Sequence, residues 1–116
     1  AAQRFLEAKE RYAVGSEYWA GATAWAFDML RQDACEEGAK PEWWNDEGLK
    51  ALSARVMRAA PDDGVANQMR AAVMRGRCYG TWEVGPRSAA ELKEAATLFD
   101  RAATLHPAPA VKAQFA

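Results

Sequence analysis

The sequence predicts an all-α fold, and three observations support this prediction. The 116 residues include 27 alanines, and strong helix formers dominate the segments between the Pro and Gly residues. Ile is absent and Val is sparse, so no segment has the β-branched alternation of a strand. A chain of this length buries about two-thirds of its unfolded surface, enough for one core. We therefore expect a single domain over 1–116, built from about five helices that pair as antiparallel hairpins.

Residues 1–40 are predicted to form a helical hairpin. Apolar side chains recur at helical spacing over 2–14, and Gly15 is expected to end this first helix. Ser16 is a candidate N-cap for a second helix that continues to about residue 37. The first half of that helix is apolar on nearly every side, as is typical of a central helix. We therefore expect its Trp19 and Trp25 to lie in the core.

Two more helices follow a connector over 41–48. Asn45 or Asp46 in this connector can cap the third helix, and Asp63 is a candidate N-cap for the fourth. The fourth helix is expected to run up to Gly76, because its apolar residues repeat at helical spacing as far as this glycine.

The fifth helix has the clearest start signal. Residues 80–87 form a loop insertion containing two glycines and a proline. Ser88 and Glu91 then fit a capping box, in which each side chain accepts a hydrogen bond from the other residue's backbone N–H. The helix is expected to run to His106.

The second half of the chain contains a short repeat with a 46-residue period. Its first copy reads Pro61-x-x-x-Val65-x-x-Gln68-Met69, and its second reads Pro107-x-x-x-Val111-x-x-Gln114-Phe115. The fifth helix carries the spacing Ala95-x-x-x-Phe99-x-x-Ala102-x-x-x-x-Pro107. This spacing resembles the second helix of the tetratricopeptide repeat, closely over 95–107 and more loosely over 49–116, although that family's repeat unit is about 34 residues.

The resemblance implies an array of helical hairpins that binds protein partners, and a chain that is a fragment of a longer one. In that family the ligand groove is lined by the first helix of each pair, which is the fourth helix here. Asn67, Arg70 and Met74 are therefore expected to face a groove that holds a partner peptide or helix. Trp82, in the loop insertion, either folds back onto the helices or reaches the partner.

No catalytic, metal-binding or cofactor-binding pattern is present, so we expect neither an enzyme nor a cofactor. Cys35 and Cys78 stand 43 residues apart, which fits two buried thiols in a cytoplasmic or other reducing compartment. The expected function is a scaffold or adaptor module. A purely structural helical spacer is the first alternative, and a small ligand-binding protein or enzyme that uses these cysteines with His106 is the second.

Charge is unevenly distributed along the chain. Residues 1–47 carry a net charge of −5 and residues 48–87 a net charge of +4. The arginines of the second region either form a basic face for an acidic partner or are attracted to the acidic first region within the fold. Nucleic acid is disfavoured because no aromatic residues are interleaved with these arginines. No apolar run is long enough to predict a membrane span.

Overall fold

Five helices make up the part of the chain that the structure describes. The computed structural model describes residues 2–32, 41–76 and 82–105 and contains no strand in these ranges. The helices are α1 (Ala2–Arg11), α2 (Glu17–Gln32), α3 (Asp46–Ala59), α4 (Gly64–Arg75) and α5 (Ala89–Leu105). The all-α prediction is confirmed.

The helices pack around α2 and α4. Helix α2 contacts α1, α3 and α4, and helix α4 contacts α2, α3 and α5. Trp19 and Phe27 of α2, Leu49 of α3 and Met69 of α4 are fully buried where these helices meet. The ring of Phe27 also packs against Trp44, with ring centroids 5.5 Å apart. The core therefore lies between α2, α3 and α4, as the apolar second helix predicts.

The N-caps predicted from the sequence form as expected. Ser16 Oγ accepts from Trp19 N at 3.1 Å, and Asn45 Oδ1 accepts from Gly48 N at 2.7 Å. Such caps satisfy backbone N–H groups that have no partner within the helix. These interactions join residues only three apart, which is why the sequence alone predicts them.

The capping box at the start of α5 is also confirmed. Ser88 N donates to Glu91 Oε1 at 2.9 Å, and Glu91 N donates to Ser88 Oγ at 3.1 Å. Glu91 Oε2 in addition pairs with Lys50 Nζ of α3 at 3.0 Å. The N-terminal end of α5 is therefore fixed both locally and by a neighbouring helix.

Some predicted boundaries and burials differ from the structure. Helix α1 ends at Arg11 rather than at residue 14, because a turn closed by Ser16 N and Ala13 O requires Gly15 at φ 89°. Trp25, predicted in the core, is 40% exposed. It lies on a face of α2 that the neighbouring helices leave partly open. The predicted ends of the second helix and of the repeat, 33–40 and 106–116, lie outside the described residues.

The predicted repeat positions of α5 lie at or near its contact with α4. Ala95 and Ala102 are buried, and Phe99 is half-buried with the Arg75 guanidinium 5.9 Å from its ring centroid. Small side chains allow two helices to approach closely, which suits this packing. Pro107 lies outside the described residues, and the resemblance to the tetratricopeptide repeat stays a prediction.

None of the helices that the structure describes is long and apolar enough to cross a membrane.

Replacing Asp63 by alanine tests the cap of α4. Asp63 Oδ1 accepts from Val65 N at 2.8 Å and from Ala66 N at 3.0 Å. We expect Asp63→Ala to lower the free energy of unfolding by about 1 kcal/mol, measured by urea denaturation. Asp63→Asn is the matched control, because asparagine caps equally well. Equal losses in both variants would contradict the capping role.

Candidate functional site

The residues predicted to face a groove are largely internal. Asn67, Met74 and Trp82 are buried, with exposed fractions of 0%, 2% and 7%. Helix α4 is covered by α2, α3 and α5, so it presents no open face at these positions. The prediction that Asn67 and Met74 line a partner groove is therefore wrong, and Trp82 folds back onto the helices, which was the first of its two alternatives.

Asn67 and Arg70 instead connect elements of the fold. Asn67 Nδ2 donates to Pro61 O at 3.0 Å and to Asp63 O at 2.8 Å, which holds the turn between α3 and α4. Arg70 Nη1 donates to Ser53 Oγ of α3 at 2.9 Å, and Arg70 Nε pairs with Glu94 of α5 at 3.1 Å. Arg70 therefore joins three helices, and its guanidinium is occupied within the fold.

A clamp made of Asp46, Trp82, Gly85 and Arg87 fixes the loop that precedes α5. Asp46, the first residue of α3, accepts from Trp82 Nε1 at 3.0 Å and from Gly85 N at 3.1 Å. Both of its carboxylate oxygens also accept from the Arg87 guanidinium, which is 5% exposed. Such a two-point pair of planar groups is the strongest geometry available to these side chains.

Arg87 also caps the C-terminal end of α4. Its Nε donates to Met74 O at 3.0 Å and its Nη2 donates to Val73 O at 2.9 Å. A cation is favourable at a helix C-terminus, where carbonyl groups lack partners within the helix. Gly76, whose φ is 74°, allows this close approach, because a Cβ at its position would lie 3.2 Å from Arg87 Nε and 2.7 Å from Val84 Cγ1.

The clamp stabilises the ionised form of Asp46. The Arg87 hydrogen bonds lower the pKa of this carboxyl far below its ordinary value, although burial opposes the shift and Trp82 and Gly85 assist it. At the start of α5, the Ser88 backbone N–H and the Lys50 ammonium lower the pKa of Glu91 to about 2. Both carboxylates therefore remain charged at neutral pH.

The arginines of the positively charged region are used largely within the fold. Arg87 pairs with Asp46 of the acidic first region, and Arg55 lies over the Trp19 ring at 5.5 Å from its centroid. Arg70 pairs with α5 rather than with the first region. The alternative of internal attraction therefore applies to Arg87, whereas Arg77 lies outside the described residues.

An open cleft lies between α1, α2 and Asp63, the N-cap of α4. Its volume is about 420 Å³, within the range of ligand pockets. Its lining consists of Ala8, Tyr12, Glu17, Tyr18, Gly21, Ala22, Trp25 and Asp63. We call this feature the aromatic cleft.

The aromatic side chains of this cleft are the most exposed ones that the structure describes. Tyr12, Tyr18 and Trp25 have exposed fractions of 43%, 74% and 40%. The rings of Tyr12 and Tyr18 stack, with centroids 5.6 Å apart. Tyr18 and Trp25 are seven residues apart on α2, so they lie on the same face of the helix two turns apart. Exposed aromatic residues in such an arrangement are typical of a binding surface.

Gly21 forms the floor of the aromatic cleft between Tyr18 and Trp25. Glycine inside a helix costs about 0.5–1 kcal/mol relative to alanine. A Cβ on Gly21 would meet no atom closer than Asp63 Oδ2, at 3.9 Å, so packing does not require glycine here. Its absence of a side chain does, however, keep the floor of the cleft open.

The sequence contained only part of the signal for this cleft. Helix α2 is apolar on nearly every side, so its periodicity does not tell which face other helices cover. Tyr18 and Gly21 within this apolar helix were the local indications of an exposed face, because tyrosine carries a polar tip and glycine carries no side chain. Asp63 was predicted only as a cap.

The second alternative function depends on two cysteines and a histidine. Cys35, Cys78 and His106 lie outside the described residues. Within the described ranges, no group of three or more His, Cys, Asp or Glu side chains is arranged to hold a metal ion.

Comparisons of the chain with protein-family models, with curated proteins and with solved structures give no match. The function of the aromatic cleft is therefore inferred from the geometry and chemistry of the cleft itself.

Replacing Arg87 by alanine tests the clamp. We expect Arg87→Ala to lower the free energy of unfolding by about 3 kcal/mol, because it leaves a partly buried carboxylate and two helix carbonyls without their partner. Arg87→Lys should restore only part of this loss, since an ammonium lacks the planar fork. Arg58→Ala, at an exposed position of α3, is the control. An Arg87→Ala variant as stable as the control would show that the clamp contributes nothing.

Acid should weaken the clamp through Asp46. Its pKa is lowered in the folded state, so its contribution is complete above the ordinary pKa of 3.8 and is lost as pH falls toward the lowered folded value. We expect wild type to be more stable than Asp46→Asn at pH 7, and this difference to shrink below about pH 4. Urea denaturation at a series of pH values measures it. Glu91 is present in both proteins, so its contribution cancels in this comparison. A difference in the free energy of unfolding that does not change with pH would contradict the role of the Asp46 charge.

Proposed function

We propose that this chain is a helical protein-interaction module that holds a segment of a partner protein in the aromatic cleft. The observation that carries the proposal is the grouping of Tyr12, Tyr18 and Trp25, exposed side by side around an open cleft. Tyrosine and tryptophan are the residues that most often anchor protein interfaces, because each supplies a large contact area with few rotatable bonds.

The scaffold behind the cleft supports this proposal. Helix α2, which carries Tyr18 and Trp25, is anchored by the fully buried Trp19 and Phe27 on its opposite side. A rigid helix presents its side chains with little entropy lost on binding. The resemblance of α5 to a tetratricopeptide-repeat helix favours the same class of function, since that fold usually binds protein partners.

The cleft takes the role that the sequence assigned to a groove on α4. The cleft is bounded by α1, by the exposed face of α2 and by Asp63. Among the described helices, α1 contacts α2 alone, so this side of α2 is less covered than the side that faces the core. A partner segment reaches it without disturbing the clamp.

A selection from a random dodecapeptide display library tests the proposal. We expect wild type to recover peptides that bind at least about tenfold more weakly to Gly21→Leu, because the leucine side chain fills the floor of the cleft. Tyr18→Ala should weaken the same peptides. Gly21→Leu should be no less stable than wild type in thermal unfolding, since leucine is the better helix former. This comparison separates blocked binding from unfolding.

Leu92→Ala is the matched control. Leu92 is a large apolar side chain on α5, 48% exposed, and it lies outside the cleft. We expect its truncation to leave peptide affinity unchanged. Recovery of no peptide, or of peptides that bind Gly21→Leu as tightly as wild type, would contradict the proposal and favour a purely structural spacer.

A further inference from the structure

We infer that the partner segment enters the aromatic cleft with an arginine side chain. This inference rests on the proposed function and adds the chemistry of the ligand. Three observations support it. They are the acidic residues that line the cleft, the aromatic rings around it, and the contacts of arginines with carboxylates and aromatic rings elsewhere in the molecule.

The charged side chains that line the cleft all carry negative charge. Among the described residues that line it, both charged ones, Glu17 and Asp63, are acidic. The other described lining residues are aromatic or small, so the fixed charge of the lining is wholly negative and attracts a cation. Charge complementarity of this kind selects partners and excludes acidic ones.

Asp63 presents one oxygen on the side of the cleft. Its Oδ1 accepts the two backbone N–H groups that cap α4. Its Oδ2 lies on the side of Gly21, 3.9 Å from the position that a Cβ on this glycine would occupy. The capping bonds fix the orientation of the carboxylate, so Oδ2 is preorganised to accept from a ligand at the floor of the cleft.

Aromatic rings and carboxylates are combined with an arginine at another place in the same fold. The Arg31 guanidinium lies over the Phe27 ring at 5.7 Å from its centroid and pairs with Asp28 at 2.7 Å. In the clamp, Arg87 and the Trp82 indole share the Asp46 carboxylate. The cleft has the rings and the carboxylates of this combination, and no arginine is present among its described lining residues.

A guanidinium fits this lining better than an ammonium. It is planar and weakly hydrated, it stacks on tyrosine and tryptophan faces, and it donates two parallel hydrogen bonds to one carboxylate. A lysine ammonium is a strongly hydrated point charge that forms neither contact as well. The lining therefore selects arginine rather than positive charge in general.

The test uses the peptides that wild type recovers from the dodecapeptide library. We expect an arginine at one common position of these peptides. Each peptide is then synthesised with that arginine replaced by citrulline, which has nearly the same shape and no charge. Citrulline should weaken binding to wild type about tenfold.

A double variant, Glu17→Gln with Asp63→Asn, supplies the matching change in the protein. Both substitutions conserve shape, and Asn at 63 retains the cap of α4. The double variant should bind the arginine peptide about tenfold more weakly than wild type does, and the citrulline peptide with nearly unchanged affinity. This non-additivity assigns the loss to the arginine–carboxylate contact.

The outcomes separate this inference from the proposed function. Peptides that lose affinity for Gly21→Leu but share a lysine, an acidic or an apolar residue at the common position would overturn the arginine assignment and leave the proposed function standing. Equal binding of the citrulline and arginine peptides would do the same. A selection without any peptide that depends on the cleft would overturn both.

Discussion

The Arg87 guanidinium, placed between the first residue of α3 and the last carbonyls of α4, is the contact on which the described fold depends most. A charge that is almost removed from water is tolerated only when it is paired and its donors are satisfied. Arg87 meets this condition with both Asp46 oxygens and with the carbonyl groups of Val73 and Met74. The same contact holds Trp82 against Phe27 and Trp44, whose ring centroids lie 6.1 and 5.8 Å from that of Trp82. It therefore links a charged cluster to the aromatic part of the core and fixes where α5 begins.

The enclosure of α4 determines where the molecule can bind a partner. Because α2, α3 and α5 pack on α4, α4 contributes its side chains to the interior. Arg70 of α4 binds Ser53 of α3 and Glu94 of α5 rather than facing an open groove. The exposed aromatic surface lies instead beside α1, which among the described helices contacts only α2. Packing thus separates the molecule into a side where α2, α3 and α4 bury their side chains and a side where Tyr12, Tyr18 and Trp25 are partly exposed.

The aromatic cleft carries features that stability alone does not explain. Gly21 weakens the interior of α2 although an alanine would fit there. Tyr18 places a large ring in water at an exposed fraction of 74%. Sites that sacrifice some stability in this way are common where a protein binds a ligand, because a filled and fully covered surface cannot accept one. The acidic side chains of Glu17 and Asp63 in its lining give this surface a chemical preference as well as a shape.

The sequence by itself determined the helical class and the starts of helices, because these depend on propensity and on contacts within three or four residues. Ser16, Asp63 and the Ser88–Glu91 pair were assigned correctly on that basis, and Asn45 was one of the two caps, with Asp46, that the sequence left open. Only the tertiary structure decided which face of each helix is covered. Trp19 and Trp25 lie on the same apolar helix, yet one is buried and the other is exposed, and Asn67 and Met74 became interior because α4 is surrounded. The clamp joins Asp46 and Arg87 across 41 positions of the chain, and no local pattern encodes such a contact. The cleft depends on the same long-range packing, since its lining combines the α1–α2 hairpin with Asp63, which is distant from it in the sequence.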